Sequence, residues 1–348
     1  MLENSATDKA VHGDALAAEE LQRIAGTNGR RRGHAFEEAL AISLTSLNVE
    51  ELTDRADASS HLVVGDPANE LARYILANEA ISEFIAIRAW WVGGLATSGL
   101  GDRVFGDRNM TVSASKSDII VEFQTAHGPK LVGVGVKTCF HKNPTNAQLY
   151  FGTATSFCRL LRNNGFAISG EMEVALRMFC GDEGFRPSDS TAASPTRVSD
   201  PSRWYWEELP QAARTEWENL LDNHTEGVTR VLMQKAYLND PLEPDYILHL
   251  RTAYTNLEDS QLAIYSVDEF VKYSAQVGRF DTRPYVIHKG SFKHDNTTHL
   301  APRFGVVQFQ RGGQKQHPTQ LQFNLKAGYF NSFPQMRPDS VNQDASEN

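Results

Sequence analysis

Lys116-Ser117-Asp118-Ile119-Ile120-Val121-Glu122-Phe123 and, after a polar break, Leu131-Val132-Gly133-Val134-Gly135-Val136-Lys137 decide how this chain is read. Both runs alternate apolar with polar or small residues, so both predict strands. Thr125-Ala126-His127-Gly128-Pro129 between them predicts a turn. A tight turn centred on His127-Gly128 sets Asp118 directly opposite Lys137. Strand geometry places Asp118, Ile120 and Glu122 on one face of the first strand, and Gly133, Gly135 and Lys137 on one face of the second. Asp118 and Glu122 then lie about 13 Å apart, too far to share a metal ion at roughly 2.1 Å. Glu122 is expected at the hairpin tip, or as a partner for a base or backbone group.

A carboxylate and a lysine facing each other at the edge of a hairpin have the chemistry of a metal-dependent phosphodiesterase. The acid holds Mg²⁺, and the ammonium steadies an attacking water or the phosphate charge. The plain alternative is an exposed cross-strand ion pair, worth about 0.2–1 kcal/mol.

Bulk composition narrows the field without choosing. A length of 348 residues with 41% apolar and 9% aromatic content fits one large globular domain. No apolar run approaches the roughly 20 residues of a membrane span, and the start is polar, so no membrane partner is expected. Cys139, Cys158 and Cys180 are odd in number and lack CxxC spacing, which suggests buried thiols in a reducing, cytoplasmic setting. The net charge of −9 argues against indiscriminate coating of nucleic acid. Charge is nonetheless segregated: positions 283–337 carry a net +7, and Arg30-Arg31-Arg32 adds a second basic cluster. An acidic body with a positive cleft is the expected result.

Along the chain, residues 1–20 predict a loosely ordered arm, 21–338 one domain with elaborations, and 339–348 a polar tail. Phe36, Leu40, Leu44 and Leu47 form one stripe of an amphipathic helix over 34–47. The spacing predicts a longer buried helix over 69–91, helices over 145–161, 205–222, 226–238 and 267–276, and a strand over 171–179. Strands return at 305–310 and 320–325, and 186–202 is a Pro- and Ser-rich loop. This order predicts an α/β fold, a mixed central sheet flanked by helices.

Lys116-Ser117-Asp118 on one strand, a second strand ending in Lys137, and Gly33-His34-Ala35-Phe36-Glu37 upstream resemble the type II restriction endonucleases of the PD-(D/E)xK nuclease superfamily. The Val307–Gly313 and Leu321–Phe323 segments resemble the strand pair that closes several such enzymes. The resemblance runs in short patches from about residue 30 to 330. It implies a restriction-endonuclease-like core, Mg²⁺, a homodimer on double-stranded DNA, products with 5′-phosphate ends, and a companion DNA methyltransferase. Catalytic Asp118, Lys137 and Glu37 are implied, with Asp118 and Glu37 as metal ligands. The chain departs from the pattern at Gly135, where the family usually carries Asp or Glu. No acid occurs between Glu122 and Glu171 to replace it, so Glu37, then Glu38, is the expected second carboxylate.

Lys116, Arg31, Arg32, Gln310, Arg311 and Lys315 are candidate DNA contacts: Gln suits adenine edges and Arg suits guanine or phosphate. His288, His294, His299 and His317 lack accompanying cysteines and predict surface or phosphate contacts rather than a metal site. Gly133–Thr138 mimics part of a phosphate loop but reads as strand throughout. Trp90-Trp91 and Trp204-Tyr205-Trp206 predict core anchors. Two rival functions stand beside the restriction enzyme: a repair or mobile-element nuclease with the same site, and a non-catalytic DNA-binding protein.

Overall fold

The computed structural model describes residues 32–52, 61–93, 103–105, 110–112, 115–139, 147–189, 202–235, 240, 242–251, 260–287, 294–311 and 319–325. The N-terminal arm, the C-terminal tail, Arg31, Lys315, His288 and His317 lie outside these residues.

In chain order the elements are α1 (32–45), α2 (Val49–Leu52), β1 (Leu62–Val64), α3 (Pro67–Asn78) and β2 (Ala86–Trp91). The short strands β3 (Arg103–Phe105) and β4 (Met110–Val112) lead to β5 (Ile119–Thr125), β6 (Gly128–Cys139) and β7 (Ala147–Gly152). Then come α4 (Ala154–Asn163), α5 (Gly170–Cys180), α6 (Gln211–Asn223), α7 (Thr225–Gln234), β8 (Pro244–Arg251), β9 (Gln261–Ser266) and α8 (Val267–Val277). Strands β10 (Phe280–Ile287), β11 (His294–Phe304), β12 (Val307–Arg311) and β13 (Leu321–Leu325) follow. A six-stranded sheet has the order β1-β9-β8-β6-β5-β2, and a five-stranded sheet the order β10-β11-β12-β13-β7. In the first sheet only β6 and β8 run parallel. The fold is the expected α/β arrangement, a mixed sheet flanked by helices.

The hairpin forms, but in a different register. Ile119 pairs with Val134 and Thr125 with Gly128, so Ala126-His127 makes the turn and Asp118 extends opposite Gly135, not Lys137. The Thr125 hydroxyl donates to the Gly128 carbonyl at 2.7 Å and accepts from His127 N–H, closing the turn one residue early. Gly128 at φ 111° supplies the left-handed residue beside it. A one-residue move of the turn slips the partner by two, and a two-residue slip keeps every side chain on its face. Lys137 therefore becomes the diagonal neighbour of Asp118, within reach of a long side chain.

One face of this hairpin is core. Ile119, Val121, Phe123, Val132, Val134 and Val136 pack against Leu40, Ala41 and Leu44 of α1 and Leu71, Ala72 and Ile75 of α3. The opposite face of β5 and β6 carries only a small apolar cluster around Ile120 and Val92. Farther along the same sheet, Ile247, Ala263 and Tyr265 join a larger core with α4 to α8 and the five-stranded sheet.

Three expected elements differ. The helix over 69–91 stops at Asn78, where Ala80 takes φ 50°, and the apolar run Ala86–Trp91 becomes the edge strand β2. The helix over 145–161 splits into β7 and α4 at Gly152 (φ 92°), and the Thr153–Ser156 capping box starts α4. The strand over 171–179 is helix α5. Ser169 caps its start, Gly181 (φ 77°) its end, and Met172, Ala175, Leu176 and Phe179 are buried at helical spacing.

Candidate active site

The short segment before β5 brings Asp118 to the end of the sheet where β6 finishes. Asp118 N–H donates to Val134 O, and its own carbonyl accepts from Val92 and Gly93 N–H, each at 2.9 Å. Its Oδ2 accepts from Val136 N–H at 2.7 Å and from Lys137 Nζ at 3.3 Å. Lys137 Nζ also donates to Val136 O at 2.8 Å. The two side chains are 21% and 23% exposed, so the pair is held by the sheet yet open to solvent.

Glu37 reaches the same place from α1. Leu40 and Leu44 fix that helix on the core side, and Glu37 lies one turn earlier on the same side. It is 8% exposed, and its Oε2 accepts from Trp91 Nε1 at 2.9 Å. Room for this carboxylate comes from Gly93, where a β-carbon would collide with Glu37 Oε2. Burial, and then the Asp118 charge, push the Glu37 carboxyl up to about 7 against the pull of Trp91 and Lys137. The three residues expected at the centre thus share one electrostatic neighbourhood.

Lys116 belongs to it as well. Burial and the Lys137 charge pull its ammonium down to about 8, while Asp118 and Asp240 act the other way. Its backbone N–H donates to Asp240 Oδ2 at 2.5 Å. Asp240 was not singled out in the sequence, and Trp91 was expected only as an anchor, not as a partner for Glu37. No spacing signal marks either, because each enters through chain folding from a distant segment.

The opposite edge of the hairpin corrects one expectation. Glu122 is 2% exposed, bonded to Gln124 and 4.0 Å from Arg88, so it is closed to a base. Glu38 is exposed on α1 and lines a surface cavity with Ile42, Thr45 and Trp90 instead of joining Asp118.

The remaining candidate contacts scatter. Arg32 is exposed at the described start of α1. Gln310 lies half-buried on β12, opposite Gln322, and Arg311 ends that strand. His299, expected at the surface, is 3% exposed, stacked on Tyr205 and bonded to Glu207 at 2.8 Å. Of the C-terminal basic block, Arg283 and Arg303 both pair with Asp281, which reduces the expected positive field there. Trp206 is a core anchor as expected, whereas Trp91 is tied to the site.

No group of three or more His, Cys, Asp or Glu side chains arranged for a metal occurs among the described residues. Two carboxylates, Asp118 and Glu37, feel each other's charge there, and they are hard oxygen donors. Mg²⁺ is commonly held by one or two carboxylates, with water and substrate phosphate completing the shell. The donor set fits that ion.

No family model and no curated protein matches this chain. Among solved structures, the restriction endonuclease MspI in complex with its cognate DNA is similar, with 13% identity and a TM-score of 0.41 over 74% of this chain and 78% of that one. No helix among the described residues is long and apolar enough to cross a membrane.

Proposed function

We propose that this protein is a Mg²⁺-dependent type II restriction endonuclease that hydrolyses double-stranded DNA. The observation that carries the reading is the meeting of Asp118 and Lys137 at 3.3 Å, with Glu37 buried against both charges. A purely structural ion pair of this exposure contributes at most about 1 kcal/mol. It gives no reason to bury a second carboxylate beside the first, which costs stability in the free protein. Sites that hold such groups despite that cost are commonly functional.

In this reading Asp118 and Glu37 hold the ion, which when bound supplies positive charge to a phosphate oxygen and acidifies water. Lys137 orients the attacking water through Nζ and helps to take its proton. Val136 N–H and Lys137 keep the Asp118 carboxylate in place. The water oxygen bonds to phosphorus in line with the 3′-oxygen, whose bond to phosphorus breaks. The hydroxyl ends on the 5′-phosphate, and the proton ends on the 3′-hydroxyl. Lys116, Arg31, Arg32, Gln310, Arg311 and Lys315 contribute DNA contacts. A homodimer addresses the two strands of a symmetric site, and a DNA methyltransferase protecting that site is the functional companion. The setting is cytoplasmic.

Plasmid digestion with Mg²⁺ tests this. The parent chain yields discrete fragments, whereas Asp118→Ala, Lys137→Ala and Glu37→Ala each lose at least about a hundredfold in rate. Full activity in Asp118→Ala would refute the site. A smear in place of bands would favour a nuclease without strict sequence choice. DNA binding without cleavage by the parent would favour a non-catalytic binding protein.

A further inference from the structure

The end of β2 and the two residues beyond it touch both candidate carboxylate residues. Trp91 pairs with Ile119 in the sheet, and its indole Nε1 donates to Glu37 Oε2 at 2.9 Å. Val92 and Gly93 N–H each donate to Asp118 O at 2.9 Å. Three consecutive residues thus fasten the Glu37 side chain and the Asp118 backbone to one another. Helix α1 is pinned to the same strand again about two turns on, where Ala89 N–H donates to Thr45 Oγ1 at 2.9 Å. Sliding α1 along β2 would break both bonds.

The two oxygens of Glu37 have different surroundings. A β-carbon at Gly93 would strike Oε2 and stand 2.9 Å from Trp91 Nε1, so glycine leaves the room this bond needs. A β-carbon at Gly33 would clear Oε1 at 3.9 Å and Thr138 Oγ1 at 4.0 Å. Oε1 receives no hydrogen bond among the described residues. An indole N–H is a neutral donor. It orients a carboxylate and leaves the negative charge to a cation, where a lysine or arginine would compete with that cation.

We propose that Trp91 is a positioning residue for metal binding: its indole fixes Oε2 so that Glu37 presents Oε1, together with Asp118, to a divalent cation before DNA arrives. This rests on the nuclease reading above and deepens it by naming what prepares the second ligand. A donor that orients a ligating group acts on affinity for the ion. Trp91 does not touch the reacting phosphate, so its loss is made good by more metal.

Two readouts test this. One is uptake of Mn²⁺, which takes the same oxygen ligands as Mg²⁺, by the DNA-free protein, followed through the electron paramagnetic resonance of the free ion. The other is the Mg²⁺ concentration that half-saturates single-turnover plasmid cleavage. Trp91→Phe keeps an aromatic ring and removes the donor. It is expected to weaken Mn²⁺ binding and raise the Mg²⁺ midpoint about 10- to 100-fold, while saturating Mg²⁺ restores most of the rate. Gly93→Ala leaves the indole in place, displaces Oε2 and gives the same pattern. In a Glu37→Gln background Trp91→Phe adds little to the loss of Mn²⁺ binding, because it acts through that carboxylate. Unchanged Mn²⁺ affinity in the folded variants, or a loss of rate that saturating Mg²⁺ does not restore, overturns the proposal while the nuclease reading stands. So does a parent that cleaves yet binds no Mn²⁺ without DNA, and so does loss of the fold in both variants, which would assign Trp91 to the core. A parent chain that cleaves nothing overturns the nuclease reading itself, and this proposal with it.

Discussion

Glu37 is a buried carboxylate at the site. Its carboxyl is raised from 4.5 to about 7, first by burial and then by Asp118. Between those two values the folded protein holds a proton that the unfolded chain has released. Stability of the metal-free protein therefore falls as pH rises through that window. Glu37→Gln keeps an acceptor for the Trp91 indole and removes the titration. In EDTA the variant is expected to match the parent near pH 4 and to exceed it by on the order of 2–3 kcal/mol at pH 8. Urea unfolding at the two pH values checks this, and parallel pH trends in the two proteins would contradict the assigned burial.

Two glycines on the same strand, and on the same face of the hairpin, have opposite surroundings. At Gly133 an added β-carbon meets the Glu243 carbonyl and the Ser117 hydroxyl, both inside contact distance. At Gly135 the nearest atoms are the Tyr246 carbonyl at 3.8 Å and Pro244 Cβ at 3.9 Å, which is ordinary contact. Gly133→Ala is expected to lose about 1–3 kcal/mol by overpacking, and Gly135→Ala to stay within about 0.5 kcal/mol of the parent. Thermal unfolding of both variants decides it, and equal melting temperatures would deny the close approach at Gly133. The hairpin also shows how far an element can be read in advance. Alternation announced the two strands and the shared face of Asp118 and Lys137. It was silent on whether Ala126 or His127 would open the turn, because that depends on one hydroxyl contact.

At the scale of the molecule, the larger core binds the two sheets together. Phe309 of β12 is 2% exposed and touches Trp206, Trp217, Phe304 and Phe323. Ile247, Ala263 and Tyr265 carry that core across to the six-stranded sheet. Phe309→Ala should cost about 3–5 kcal/mol. Tryptophan fluorescence and far-ultraviolet circular dichroism should still report one transition, since both sheets lean on the same side chains. Two separated transitions would mean that the sheets unfold independently.

The amino-acid sequence by itself determined the α/β class, the hairpin and the pairing of an acid with a lysine on one of its faces. Period-2 patterning and helical stripes are local, and burial of one face enforces them. It determined too that any second carboxylate had to come from outside the hairpin, since no acid lies between Glu122 and Glu171. Only the tertiary structure decided that Glu37 sits against Asp118, that Trp91 and Gly93 make its place, and that Asp240 fastens the strand entry. Those contacts join segments 54 to 124 residues apart. The packing of α1 and the parallel pairing of β6 with β8 bring them together, and no short stretch of sequence encodes either.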